Sequence, residues 1–144
     1  MRSPGQIAAA FLLSIVLLSG CGTLPVAGND SSASMIAKSE GLPVNISAGK
    51  AAGLHDEEKV AIVDVRENWE YEAGHVPDSI LIPLGDLPDR IDEVPRDRPV
   101  ILICRSGNRS GQALRFLESE GFDNVHNLVG GITAWEAQGH PIER

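Results

Sequence analysis

The chain has 144 residues and a formal charge of −8, from 20 acidic and 12 basic residues. That length suffices for one domain with a hydrophobic core and not for two of ordinary size. The acidic balance excludes the basic footprint of a nucleic-acid binder, and it excludes an electrostatic grip on anionic lipid.

In chain order, Arg2 is followed by no charged residue before Asp30. Ile7 to Leu18 is a compact apolar run, IAAAFLLSIVLL. It falls short of the about 20 residues a helix needs to span a bilayer and has the size of a signal-peptide core. Leu18-Ser19-Gly20-Cys21 follows. Small residues before a cysteine, directly after such a run, resemble the lipobox of bacterial lipoproteins. The resemblance implies that residues 1–20 are a signal peptide and that Cys21 is lipidated and becomes the new N-terminus. An uncleaved membrane anchor is the alternative reading, and both place the domain outside the cytoplasm, on a membrane of the bacterial envelope. Residues 21–43 contain GTLPVAGNDSSAS, rich in Gly, Ser, Pro and Asn without apolar period, and read as a tether. Residues 44–144 read as the folded domain.

Within it, Asn45-Ile46 predicts a short strand and Ser47 caps a helix over Ala48–Leu54. Val60–Val65 is a β-branched run of the kind buried on both faces of a sheet. Glu67–Ala73 predicts a short helix ended by Gly74. Ser79–Ile82 is a strand stopped by Pro83, and Leu84–Ile91 a weak helix interrupted by Pro88. Val100–Ile103 is the third apolar run. Ser110–Glu120 is a helix with Ala113, Leu114 and Leu117 on one face, Asn124–Leu128 a last strand, and Ile132–Gln138 a last helix. The alternation predicts an α/β domain with a central, mainly parallel sheet and helices on both faces. Ligands of such sheets sit at the carboxyl ends of the strands, where Asp64 and Cys104 fall.

Cys104-Arg105-Ser106-Gly107-Asn108-Arg109-Ser110 links a buried strand to a helix. A loop with a central glycine can curl its backbone N–H groups inward, and the helix adds its N-terminal partial charge. Such donors favour thiolate and would lower the Cys104 pKa below the free value of about 8.5. Arg105 and Arg109 add positive charge. One short segment thus supplies a nucleophile and an anion-binding pocket. A buried structural cysteine is the blander possibility, and the polar run after Cys104 argues against it.

Asp64-Val65-Arg66-Glu67, Glu70-Tyr71, Gly74-His75-Val76, Ile82-Pro83-Leu84, the CRSGNRS loop and Gly130-Gly131-Ile132 with Trp135 and Gly139 stand in the order of a single-domain rhodanese, which the chain resembles from about Val44 to Pro141. The resemblance implies a sulfurtransferase. Cys104 would carry sulfane sulfur as a persulfide, loaded by a donor anion such as thiosulfate and unloaded by cyanide or a thiol acceptor, among them a protein sulfur acceptor. Arg105, Ser106, Gly107, Asn108, Arg109 and Ser110 would bind the substrate, and no metal or organic cofactor would be required. Where the family often has Gly-Ala, this chain has Asp78 and Ser79.

Asp64 and Arg66 read as an ion-pair frame near the loop rather than as acid or base. His75 reads as a packing residue in a turn, and Trp135 as a core anchor. His55, His126 and His140 show no metal-ligand spacing with Cys104. Cysteine phosphatases and arsenate reductase-like enzymes are the rival chemistry. The phosphatases place five residues between Cys and Arg, whereas here four separate Cys104 from Arg109, a tighter pocket suited to a sulfur atom. A non-catalytic sulfur-carrier or redox-sensing module is the rival outside enzymes. With Cys21 lipidated, Cys104 would be the one thiol of the mature chain, resting as persulfide or kept reduced by a partner.

Overall fold

The computed structural model describes residues 41–144. The apolar N-terminal run, Cys21 and most of the predicted tether lie outside those residues.

Five strands form one parallel sheet: β1 (Asn45–Ile46), β2 (Ala61–Asp64), β3 (Ile80–Leu81), β4 (Val100–Ile103) and β5 (Val125–Leu128), in the order β1-β5-β4-β2-β3. The β2–β4 register runs from Ala61↔Val100 to Asp64↔Ile103, so both strands end at one level. Four helices, α1 (Ala48–Asp56), α2 (Asn68–Ala73), α3 (Asn108–Ser119) and α4 (Gly131–Ala137), connect or follow the strands.

Alternation along the central strands divides the core into two layers, because successive side chains point to opposite faces. Val63, Val65, Val100, Leu102 and the Cys104 residue pack on one face with Ala113, Leu114 and Leu117 of α3. Ile62, Ile101 and Ile103 pack on the other with Ala51 and Ala52 of α1 and Ile132 and Trp135 of α4. Trp135 is buried, and its indole N–H donates to the Pro141 carbonyl at 2.8 Å.

Three details differ from the sequence reading. The helix expected over Leu84–Ile91 is a series of turns followed by a single 3-10 turn at Ile91–Glu93. Pro88 offers no N–H, and the bonds that form run from Asp86 to Pro83 and from Asp89 and Arg90 to Asp86. β3 keeps only two residues of the run expected there. Packing also begins before Val44: Leu42 rests on the second core layer, and His126 Nδ1 meets the Pro43 carbonyl at 2.9 Å.

Candidate active site

The parallel sheet delivers Asp64 at the end of β2 and Cys104 just past the end of β4. The loop after Cys104 turns at Gly107, whose φ is +98°, and enters α3 at Asn108. Glycine is favoured at that turn, because side chains rarely adopt this φ and a Cβ would press on the Leu128 carbonyl at 3.2 Å. The result faces donors toward the sulfur. The Gly107 N–H donates to Cys104 Sγ at 3.1 Å, and Ser110 Oγ lies 3.4 Å from it. Burial pushes the thiol pKa up, but the Ser110 hydroxyl and the N–H groups of Ser110, Ser106 and Gly107 hydrogen-bond the sulfur and bring it below its ordinary value. Cys104 is 1% exposed and belongs to the core layer by its carbon atoms, while its sulfur meets polar groups. Such a sulfur is disposed to ionise and is screened from bulky reactants.

The two arginines of the loop behave differently. Arg105 is exposed, and among the described residues its guanidinium makes no ion pair. Arg109 pairs with Glu70 on α2, with two bonds of 2.6 and 2.7 Å. The Arg109 bond, set against a smaller cost of burial, holds the Glu70 carboxyl down at about 2. The cradle around the sulfur is therefore built of backbone N–H groups and one hydroxyl, with the Arg109 charge nearby. Ser106 and Asn108 are exposed at the loop tip, and Ser110 is fully buried.

Asp64 and Arg66 form a buried pair. Arg66 Nη2 reaches Asp64 Oδ2 at 2.7 Å, and the Arg66 backbone N–H donates to Oδ1 at 3.0 Å. The same guanidinium donates to the carbonyls of Glu70 and Gly74. This frame ties the middle and the C-terminal end of α2, and hence Glu70, to the end of β2. His75 stacks on Tyr71 with ring centroids 3.8 Å apart, and the Tyr71 hydroxyl donates to the Ser79 carbonyl at 2.6 Å. They brace the turn between α2 and β3.

Some contributors were given no role at the site from sequence. Gly131 has φ +56°, and a Cβ there would collide with the Cys104 and Arg105 carbonyls. This close approach lets the Ile132 N–H donate to the Cys104 carbonyl at 2.8 Å and Thr133 Oγ1 to the Arg105 carbonyl at 2.9 Å. The start of α4 thus clamps the outer backbone of the loop, while its inner N–H groups face the sulfur. Glu70 and Asn127 complete the site, Asn127 through Ser110.

A strand, a cysteine, a tight N–H-lined loop and a helix follow in this order, and residues 47–138 match the model of the rhodanese-like domain. The chain belongs to the rhodanese-like domain family. It is similar to a sulfurtransferase of Allochromatium vinosum, with 45% identity over 89 residues covering 62% of this chain and 83% of that protein. It is also similar to thiosulfate sulfurtransferase GlpE of Pseudoalteromonas translucida, with 37% identity over 93 residues covering 65% and 89%. The crystal structure of a rhodanese-related protein from Thermoplasma volcanium superposes with a TM-score of 0.64 at 32% identity, covering 70% of this chain and 98% of that one. Within this rhodanese-like domain Asp78, standing where the family often has glycine, takes the left-handed backbone with φ +57°.

Proposed function

We propose that the protein is a sulfurtransferase that carries sulfur on Cys104. The observation that carries this reading is the sulfur itself, with N–H groups of Ser106, Gly107 and Ser110 and the Ser110 hydroxyl directed at it at the end of β4. The family and the named sulfurtransferase relatives support it. In the first step the Cys104 thiolate attacks the outer sulfur of thiosulfate. A sulfur–sulfur bond to Cys104 forms, the bond to the sulfonate breaks, and sulfite leaves with the electron pair. The cradle stabilises the resulting persulfide anion as it does the thiolate. In the second step an acceptor thiolate or cyanide attacks the outer sulfur, and Cys104 departs as thiolate, a ping-pong scheme. Arg105, exposed and unpaired among the described residues, meets the donor anion, and Arg109 adds longer-range charge.

The pairing of Arg109 with Glu70 weighs against phosphoryl transfer, which needs that guanidinium free for a phosphate dianion. Sulfite release from thiosulfate, dependent on Cys104 and on an added thiol or cyanide, tests the reading. Hydrolysis of a phosphate ester without sulfite release overturns it. The sequence from Ile7 to Cys21 supports a lipid anchor at Cys21, which would hold the domain outside the cytoplasm and place the acceptor, a small thiol or a protein thiol, in the envelope.

A further inference from the structure

A chain of polar side chains runs from the sulfur to the surface, and two of its members have no part in the chemistry above. Ser110 Oγ lies 3.4 Å from Cys104 Sγ and 2.7 Å from Asn127 Oδ1. Asn127 Nδ2 donates to Asn45 Oδ1 at 3.0 Å. Asn45 and Asn127 are register partners on β1 and β5, which sets their amides side by side. Ser110 is fully buried, whereas Asn45 is exposed on the edge strand. An open groove of about 650 Å³, lined by Asn45, Asn127, Gly107 and Asn108 among others, gives water access to the outer end.

A serine hydroxyl has one proton to donate. Both Cys104 Sγ and Asn127 Oδ1 lie within its reach, and while the thiol is neutral the shorter contact takes the proton to Asn127. The chain then reads, head to tail, from sulfur S–H to Ser110 Oγ, from Ser110 O–H to Asn127 Oδ1, and from Asn127 N–H to Asn45 Oδ1. This direction suits a neutral thiol. A thiolate has no proton to give and needs Ser110 as its donor, which requires every bond to point the other way. A half-turn of a primary amide keeps its shape and exchanges donor for acceptor. Turned so, Asn127 donates to Ser110 Oγ and accepts from Asn45. At the exposed end the half-turn of Asn45 merely exchanges contacts with water.

We infer that Asn127, oriented by Asn45, is a positioning residue that sets the direction of the Ser110 hydroxyl, and that the whole chain reverses when Cys104 ionises. The inference rests on the reading of Cys104 as a reactive thiolate, and its test requires no sulfur transfer. The charged groups near the sulfur are Arg109 with its partner Glu70, Arg105, and the Asp64–Arg66 pair at the end of the neighbouring strand. None of them is altered in the variants used.

Asn45→Asp replaces the exposed amide by a group that only accepts. It holds Asn127 with its N–H outward and its oxygen toward Ser110, so the thiolate loses its donor. The Cys104 pKa, read from the pH dependence of iodoacetamide alkylation, is expected to rise by about half to one pH unit, the worth of one net hydrogen bond. The same substitution is then made in Ser110→Ala and, independently, in Asn127→Ala, either of which interrupts the chain. Asn45→Asp is expected to leave the pKa unchanged in both. An equal rise in intact and interrupted backgrounds would show a through-space charge effect and overturn the inference, as would no rise in any background. A titrating Cys104 that takes up no sulfur from thiosulfate would instead count against the sulfurtransferase reading alone.

Discussion

Glu70→Gln removes the charge of the Glu70–Arg109 pair and one of its two hydrogen bonds, while the glutamine oxygen can still accept the Glu67 N–H that Glu70 Oε2 accepts at 3.1 Å. The fall of the carboxyl from its ordinary 4.5 to about 2 sets an upper bound of ~3 kcal/mol on the charge contribution. The Arg109 side chain is 30% exposed and the Glu70 side chain 10%, so water screens the pair from one side. Fully exposed pairs contribute at most about 1 kcal/mol, and the expected loss for the variant is about 1–2 kcal/mol at neutral pH. The sign with pH follows from a folded-state pKa below the unfolded one. The stabilisation is fully present above about pH 4.5 and is lost as pH falls through about 2. Urea unfolding of both proteins across this range measures it, urea being uncharged and leaving the pair unscreened. The difference between wild type and variant is expected to shrink below about pH 4.5. A difference that stays constant down to about pH 2.5 would refute the assignment of the low pKa to this pair.

Gly131→Ala forces a Cβ into the Cys104 and Arg105 carbonyls, at φ +56°, and is expected to cost about 2–4 kcal/mol in denaturant unfolding and to lower sulfite release; wild-type stability would contradict the clamp. Asp78→Gly relieves a left-handed residue at an exposed turn and is expected to gain about 0.5 kcal/mol in the same assay, with a loss counting against backbone strain there. If Cys21 carries lipid, the intact mass of the membrane-extracted wild type is expected to lack residues 1–20 and to include acyl groups, whereas Cys21→Ala keeps Met1 and carries no acyl mass; a wild type with Met1 intact and no acyl mass would favour the uncleaved anchor.

Strand β4 was legible because it is an unbroken apolar run that a two-sided sheet buries: Val100–Ile103 is buried at every position. The Cys104 loop was legible because its residue types are local to one another. The helix expected over Leu84–Ile91 rested on a weak apolar period, which Pro88 defeats by withholding a donor. The pairing of Arg109 with Glu70 spans 39 residues and the Asn45–Asn127 contact spans 82, so no local spacing announces either. Both depend on the strand order β1-β5-β4-β2-β3, which brings the edge strand beside β5 and α2 beside the Cys104 loop. The pair Gly130-Gly131 was visible as a motif, but its reason, the near contact of two backbones, exists only once α4 is folded against the loop.

The central claim is that Cys104 carries sulfur, and intact-mass measurement after thiosulfate treatment tests it most directly. The reduced protein is expected to gain the mass of one sulfur atom, to lose it on addition of cyanide or a thiol, and to gain nothing as Cys104→Ser. A wild-type protein that gains no sulfur, or a Cys104→Ser protein that still does, would contradict the account.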